Sequence, residues 1–211
     1  MGLGAIFIVI IIAVDFLISM WDAYAGGYSL GAIKAKGDKS KFRKAAAYSA
    51  VGLGLVGATY VMAIVLGFLA YYASYITLSS FQFLLSFDFI FLGILIIGFG
   101  FIITVQSIII AVRKPGAWSI IIALYNSFAM AFDISMYISS FKESMGVIRS
   151  TGRRSQGNAY MIILIAVLIA AVMVHAAYKH GYRKASGSMQ HRGAKAQGSG
   201  MMETVGRRGK S

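Results

Sequence analysis

Long apolar runs, separated by short basic, polar or Gly-rich segments, set the pattern of this chain. The most extended is Phe81 to Val112, thirty-two residues with Asp88 as the one charge and no Lys, Arg or Pro. A helix of about 20 apolar residues crosses a hydrocarbon core of about 30 Å. At about 1.5 Å per residue this run reaches about 48 Å, so it predicts a tilted or protruding transmembrane helix. Four further runs, 3–21, 45–72, 117–140 and 159–178, predict companions to it. The expected fold is all-α: a polytopic integral membrane helical bundle of five transmembrane helices over residues 1–178.

Connections follow from composition. Residues 23–44 predict a loop opened by Gly26, Gly27 and Gly31 and closed by Lys34, Lys36, Lys39, Lys41, Arg43 and Lys44. Residues 73–80 form a short link without a basic residue. Arg113-Lys114-Pro115-Gly116 predicts a tight turn, because proline cannot continue the helix and glycine permits the reversal. Residues 141–158 predict a second loop, and five crossings with an unbroken third helix are preferred to a hairpin at Gly98-Phe99-Gly100. Lys179 to Ser211 is rich in Gly, Ser, Lys and Arg, buries too little surface to offset ordering entropy, and predicts a disordered basic tail. Ala23-Tyr24-Ala25 resembles a secretory cleavage site, but the preceding segment has no Lys or Arg and Asp15 interrupts its apolar run, so an uncleaved first helix is expected.

Composition supports a lipid solvent: mean hydropathy is +0.75 and 13% of residues are charged, against about a quarter in soluble domains. The chain lacks cysteine, which removes disulfides, thiol nucleophiles and Cys-ligated metals. Its formal net charge of +13 reads first as an orientation signal. With the N-terminus outside and the C-terminus cytoplasmic, 16 of the 20 Lys and Arg lie inside; Lys142, Arg149, Arg153 and Arg154 lie outside. Multi-pass residence in a cell membrane is the expectation. Aromatic residues gather near the span ends, Trp21, Tyr24, Tyr71, Tyr72, Trp118 and Tyr178 among them, as amphipathic rings do at headgroup level.

Chemistry-bearing residues are few. Asp15, Asp88 and Asp133 lie within spans that contain no Lys or Arg, and a charge at membrane depth costs about 2.5–3.5 kcal/mol on insertion scales. Asp15, Ser19 and Asp22 share one helix face, as do Asn126, Asp133, Tyr137 and Ser140. These groups are read as a path for a cation or a proton; the plainer account is that each carboxyl hydrogen-bonds across a helix interface. Counting from the outer ends of their spans, Asp88 and Asp133 are expected at similar depth and Asp15 nearer the midplane. The segment 13–21 echoes 131–137 around its Asp, a partial match between spans of opposite direction.

A second pattern concerns packing. Ala46, Ala50, Gly54 and Ala58, with Gly57 beside them, form a small-residue stripe that lets helix backbones approach closely in lipid. The same glycines match G-x-G-x-x-G over Gly52 to Gly57, but that motif needs a strand before it, so a dinucleotide site is rejected. His175 is the one histidine within a span, so histidine-bound haem or metal is not expected, and no cofactor is assigned. No Ser/His/Asp or phosphate-loop set is present, so an enzyme is disfavoured.

The function expected is an integral membrane subunit of a transport or translocation assembly, with an Asp-lined polar path for a cation, proton or larger cargo. The alternatives are a non-conducting accessory subunit scaffolding a larger complex, or a component of nucleic-acid import or export acting through the basic tail. The bilayer, anionic headgroups at the basic loops, and other membrane subunits or further copies of the chain are the expected partners. Nucleic acid is the weaker possibility, since the tail has no aromatic residue past Tyr182 for base stacking.

Overall fold

The computed structural model describes the backbone of residues 3–207 and the side chains of residues 9–187. Among the described residues there are five helices and no strand: α1 (Leu3–Ala35), α2 (Lys41–Tyr72), α3 (Leu78–Arg113), α4 (Ala117–Ser150) and α5 (Arg153–Arg207). Each contains a segment long and apolar enough to cross a membrane. Their outer faces carry large bare side chains; Trp21, Tyr72, Phe128, Ile138 and Val172 are each at least two-thirds exposed. Water would penalise such surfaces, whereas a bilayer solvates them and forces backbone polar groups into the helical ladder.

Local chemistry explains the helix ends. Ser40 caps α2 by accepting the Arg43 amide, Thr77 caps α3 by accepting the Ser80 amide, and the Ser119 hydroxyl accepts the Gly116 amide at the start of α4. α1 ends in a Schellman turn. The Asp38 amide reaches the Ile33 carbonyl, the Gly37 amide reaches Lys34, and Gly37 adopts φ 62°. In the same connection the Asp38 carboxylate accepts the Ser40 amide at 2.9 Å and the Arg43 guanidinium at 2.8 Å. The Ser40 amide above all, with Arg43 after it, holds the Asp38 carboxyl below its ordinary value of 3.8. A lowered folded-state value means this clamp is intact above 3.8 and is lost as pH falls through the lowered value.

Two expected loops are helical instead. α1 continues to Ala35, so Gly26, Gly27 and Gly31 lie inside a helix, and α4 continues to Ser150, leaving only a short turn before α5 at Arg153. The glycines are there for contact. A Cβ on Gly26 would lie 2.6 Å from the Ala47 carbonyl oxygen, one on Gly31 2.6 Å from that of Tyr182, and one on Gly27 would collide with Tyr178. A glycine that brings two helix backbones together stabilises the helix it would otherwise weaken. α4 is long for another reason. Its last turns carry Lys142, Glu143 and Arg149, which extend the helix past the apolar zone together with the first turn of α5. The third helix is unbroken through Gly98-Phe99-Gly100, and the turn at 114–116 lies where the sequence places it.

The expected tail boundary at Lys179 also moves. The backbone of 179–207 continues α5 where a disordered tail was expected, with the Gly181 backbone against Tyr24 and Ala185 1% exposed. The remainder of the expected disordered tail, 188–211, falls outside the residues whose side chains are described.

α2 and α5 form the central pair. α1 packs against both on one side, α3 packs against both on the other, and among the described residues α4 packs on α3 alone. One apolar cluster joins α2, α3 and α5 around Ala63, Phe83, Leu84, Ala159 and Ala166. A second joins α1, α2 and α5 around Ala23, Ala58, Ala170 and Val174. On α5, Ala159, Ala166 and Ala170 are fully buried, a small-residue stripe like that of α2 but spaced at seven and four.

Replacing Gly27 by Ala is expected to lower thermal stability in detergent by about 1–3 kcal/mol, because Tyr178 backbone must give way. Gly98 has nothing within 4 Å of an added Cβ, so Gly98→Ala gains helix propensity, up to about 1 kcal/mol. Equal midpoints for the two variants by circular dichroism would contradict this packing.

Candidate functional site

Because α4 rests on α3 alone and does not pack on α1 or α2 among the described residues, a lengthwise groove opens between α1 and α4. α2 and α3 form its floor. Its central part, ≈ 290 Å³, is lined by Asp15, Ser19 and Asp22 of α1, Gly57 and Tyr60 of α2, Gly100 and Thr104 of α3, and Tyr125, Asn126 and Asp133 of α4. Asp15, Tyr60 and Asp133 also border an adjoining part of ≈ 320 Å³, with Phe89, Gly93 and Tyr137. Phe89 and Tyr137 stack there with ring centroids 5.8 Å apart. In the other direction, Ile103 and Asn126 are shared with a part of ≈ 370 Å³ that reaches Gln106, Lys36, Asp38 and Arg43. The three parts share lining residues and run from mid-bundle to the end that carries the basic α1–α2 connection.

The helical periods of α1 and α4 create this surface. Asp15, Ser19 and Asp22 recur at four and three residues, Asn126 and Asp133 at seven, so each set falls on one side of its helix. Gly57, Gly93 and Gly100 supply the room by presenting no side chain to the groove. The Thr104 hydroxyl donates to the Asn126 carbonyl at 3.3 Å, joining α3 to α4 at groove level. Ser19 is 6% exposed and donates to the Asp15 carbonyl at 2.8 Å, which leaves its oxygen lone pairs as the groove-facing function. Carboxyl, carbonyl and hydroxyl oxygens thus face a space large enough for several water molecules. The cationic side chains bordering it, Lys36 and Arg43, lie at the basic end, and Arg43 is engaged by Asp38.

The five path residues named from the sequence divide. Asp15, Ser19, Asn126 and Asp133 come together in the groove; Asp88 does not line it. Asp88 is fully buried, and neither carboxyl oxygen has a hydrogen-bond partner. Asp88 and Asp133, expected at similar depth, do not share this space; Asp15 and Asp133 do. Depth along the axis did not decide it; the face of α3 did, since Asp88 turns inward while Thr104 and Gly100 turn to the groove. Tyr60 lies within electrostatic range of both Asp88 and Asp15. The plainer account, a hydrogen bond for each carboxyl across an interface, does not describe Asp88.

Tyr60, Thr104 and Tyr125 complete the groove, and sequence reasoning did not single them out. Each lies in a mostly apolar run, and which face it occupies depends on the helices packed against it. The packing set lies where the small-residue stripe puts it. Ala46 and Ala58 are buried, Ala50 is half-buried, a Cβ on Gly54 would lie 2.5 Å from the Ser19 carbonyl oxygen, and one on Gly57 would strike the Ser19 hydroxyl. The echo between segments 13–21 and 131–137 puts its two aspartates on the same groove, but α1 packs on α2 and α5 while α4 packs on α3 alone, so the two do not occupy equivalent places. His175 is exposed on α5, its ring 6.4 Å from that of Tyr178.

Wetness of the groove is testable because the chain has no cysteine of its own. Asn126→Cys and Thr104→Cys are expected to react with a small water-soluble thiol reagent in proteoliposomes. Ala166→Cys, in a fully buried position, and Phe128→Cys, 73% exposed on the outer face of α4, are expected to remain unlabelled. Labelling of Phe128→Cys without Asn126→Cys would mean that lipid rather than water occupies the groove.

Comparison with known proteins finds no protein family, no curated protein and no solved structure that matches this chain.

Proposed function

We propose that this protein is an integral membrane subunit of a transport or translocation assembly, and that the α1–α4 groove is its path for a cation or a proton. The carrying observation is that Asp15 and Asp133, on two helices that do not pack on each other among the described residues, face one oxygen-lined space. Ionisable groups at membrane depth are expensive, and they mark ion or proton routes when they border a cavity. Asp22 and Asn126 extend the lining from this pair toward the basic end. In this reading the basic end is cytoplasmic, because the α1–α2 connection, the α3–α4 turn and the start of the C-terminal segment concentrate Lys and Arg there, and the membrane is that of the cell.

In proteoliposomes, Asp15→Asn and Asp133→Asn are each expected to lower cation or proton flux about tenfold or more, the consequence of about 1.4 kcal/mol less stabilisation of a positive charge. Asp88→Asn, off the groove, is expected to have the smaller effect. Full flux in the Asp15→Asn, Asp133→Asn double variant would end this reading.

An accessory role in a larger membrane complex is favoured by one specific observation. α4 is held by α3 alone, and Ala123 is its only buried residue among those described. A subunit that covers α4 would also close the groove along its open side. A stable, monodisperse single copy after mild extraction, active in flux by itself, would exclude the need for such a partner. The third role, nucleic-acid transfer through the basic tail, rests on residues 188–211 for most of its length, and salt-sensitive DNA binding is its test.

A further inference from the structure

A second cavity lies on the opposite side of α2 from the groove, at the basic end of the bundle, and its chemistry is different. It measures ≈ 440 Å³ and is formed where α1 ends, α2 begins and α5 passes behind them. Leu30 and Ile33, both buried, line its apolar part and belong to the cluster that includes Ala47, Tyr178 and Tyr182. Lys34, Lys39 and Lys44 supply its positive charge, and Tyr48, Tyr178 and Tyr182 its aromatic walls. The Lys34 ammonium stands 5.9 Å from the centre of the Tyr182 ring, which holds the long side chain over the pocket.

The acidic group bordering this cavity is Asp38, and its charge is already taken. One carboxylate oxygen accepts the Ser40 amide and the other the Arg43 guanidinium, with Lys44 acting on it at longer range. Among the described residues Arg43–Asp38 is the one ion pair, so none of the three lysines is paired with a carboxylate and Asp38 offsets at most part of their charge. The α2 N-terminus adds the positive end of its dipole on the same side. Three ammonium groups over an apolar, tyrosine-walled recess, at the level where the apolar spans end, match an amphiphile with a negative head. A basic pocket between transmembrane helices is the form that anionic headgroup recognition takes.

We infer that the Lys34–Lys39–Lys44 pocket binds the phosphate headgroup of an anionic membrane phospholipid, with the ammonium groups on the phosphate and Leu30, Ile33 and the tyrosine rings against the glycerol and upper acyl region. This goes beyond the transport reading and does not depend on it: the site is defined by α1, α2 and α5, and the groove by α1 to α4. It is also narrower than general attraction of a basic surface to a charged leaflet, since it places one lipid at one position.

The experiment uses the full-length protein, purified in mild detergent, with phosphatidylglycerol or phosphatidylcholine added and lipid adducts counted by native mass spectrometry. One phosphatidylglycerol is expected to remain bound in preference to phosphatidylcholine. The Lys34→Ala, Lys39→Ala, Lys44→Ala variant is expected to weaken that binding on the order of a hundredfold. A control that removes the same charge elsewhere, Lys142→Ala, Arg149→Ala, Arg153→Ala, is expected to retain it. So is the triple lysine-to-arginine variant, and elution of the triple alanine variant as a folded species separates loss of binding from loss of fold. Equal retention by the pocket and control alanine variants would overturn the proposal, as would phosphatidylcholine bound as well as phosphatidylglycerol. Displacement of the lipid by millimolar inorganic phosphate would assign the pocket to a soluble phosphate compound and overturn the lipid assignment.

Discussion

Close approach of helix backbones in a solvent as apolar as the side chains is the constraint on which the bundle depends. Lipid offers no hydrophobic drive for helix association, so dispersion contacts and short backbone distances must hold the helices together. α1, α2 and α5 achieve this with residues that have little or no side chain. Gly26 lies against Ala47, Gly27 against Tyr178, Gly31 against Tyr182, Gly54 against Ser19 and Ala23, and Gly181 against Tyr24. The buried alanines of α2 and α5 continue the same surface, with Ala58, Ala63, Ala159, Ala166 and Ala170 all fully enclosed. These contacts make three of the five helices a single unit, and its seam extends into the stretch after Tyr178.

The groove is the complement of that tight packing. α4 has no glycine or alanine stripe facing α1 or α2; large residues such as Trp118, Leu124, Phe128 and Ile138 cover its outer surface instead. It is therefore attached only through α3, by contacts such as the Phe89–Tyr137 stack and the Thr104–Asn126 hydrogen bond. An α4 free of α1 leaves the polar faces of both helices uncovered and facing each other across α2 and α3. Polar residues that would each be costly toward lipid gain a shared space. Asp88 is the exception, enclosed with both oxygens unpartnered, and a fully buried carboxylate without partners bears its whole desolvation cost unless a proton or cation neutralises it.

Two ends of one connection serve different chemistry. The α1–α2 turn puts Asp38 and Arg43 in contact with each other, and both reach the end of the groove. The same turn sends Lys34, Lys39 and Lys44 to the other cavity. The Schellman geometry at Gly37 and the cap at Ser40 fix this division, because they set the direction in which α2 departs from α1.

Five helices, their centres, the turn at Pro115 and the small-residue face of α2 were legible from the sequence, because each depends on local composition: apolar length, a residue that cannot continue a helix, and small residues at four-residue spacing. The same local reasoning placed Gly26, Gly27 and Gly31 in a loop, since a glycine that enables a turn and a glycine that admits a neighbouring backbone look alike until the neighbour is known. It likewise ended α5 at Tyr178, although Gly181 and Ala185 continue the seam. Asp15, Ser19, Asn126 and Asp133 were visible as polar positions on helix faces. That they share one groove, that Tyr60, Thr104 and Tyr125 join them, and that Asp88 is excluded were decided by tertiary structure alone. Hydropathy marks which segments are long and apolar enough to cross a membrane; the rotation of each helix about its axis, which selects the residues that meet, is set by packing between helices distant in the chain.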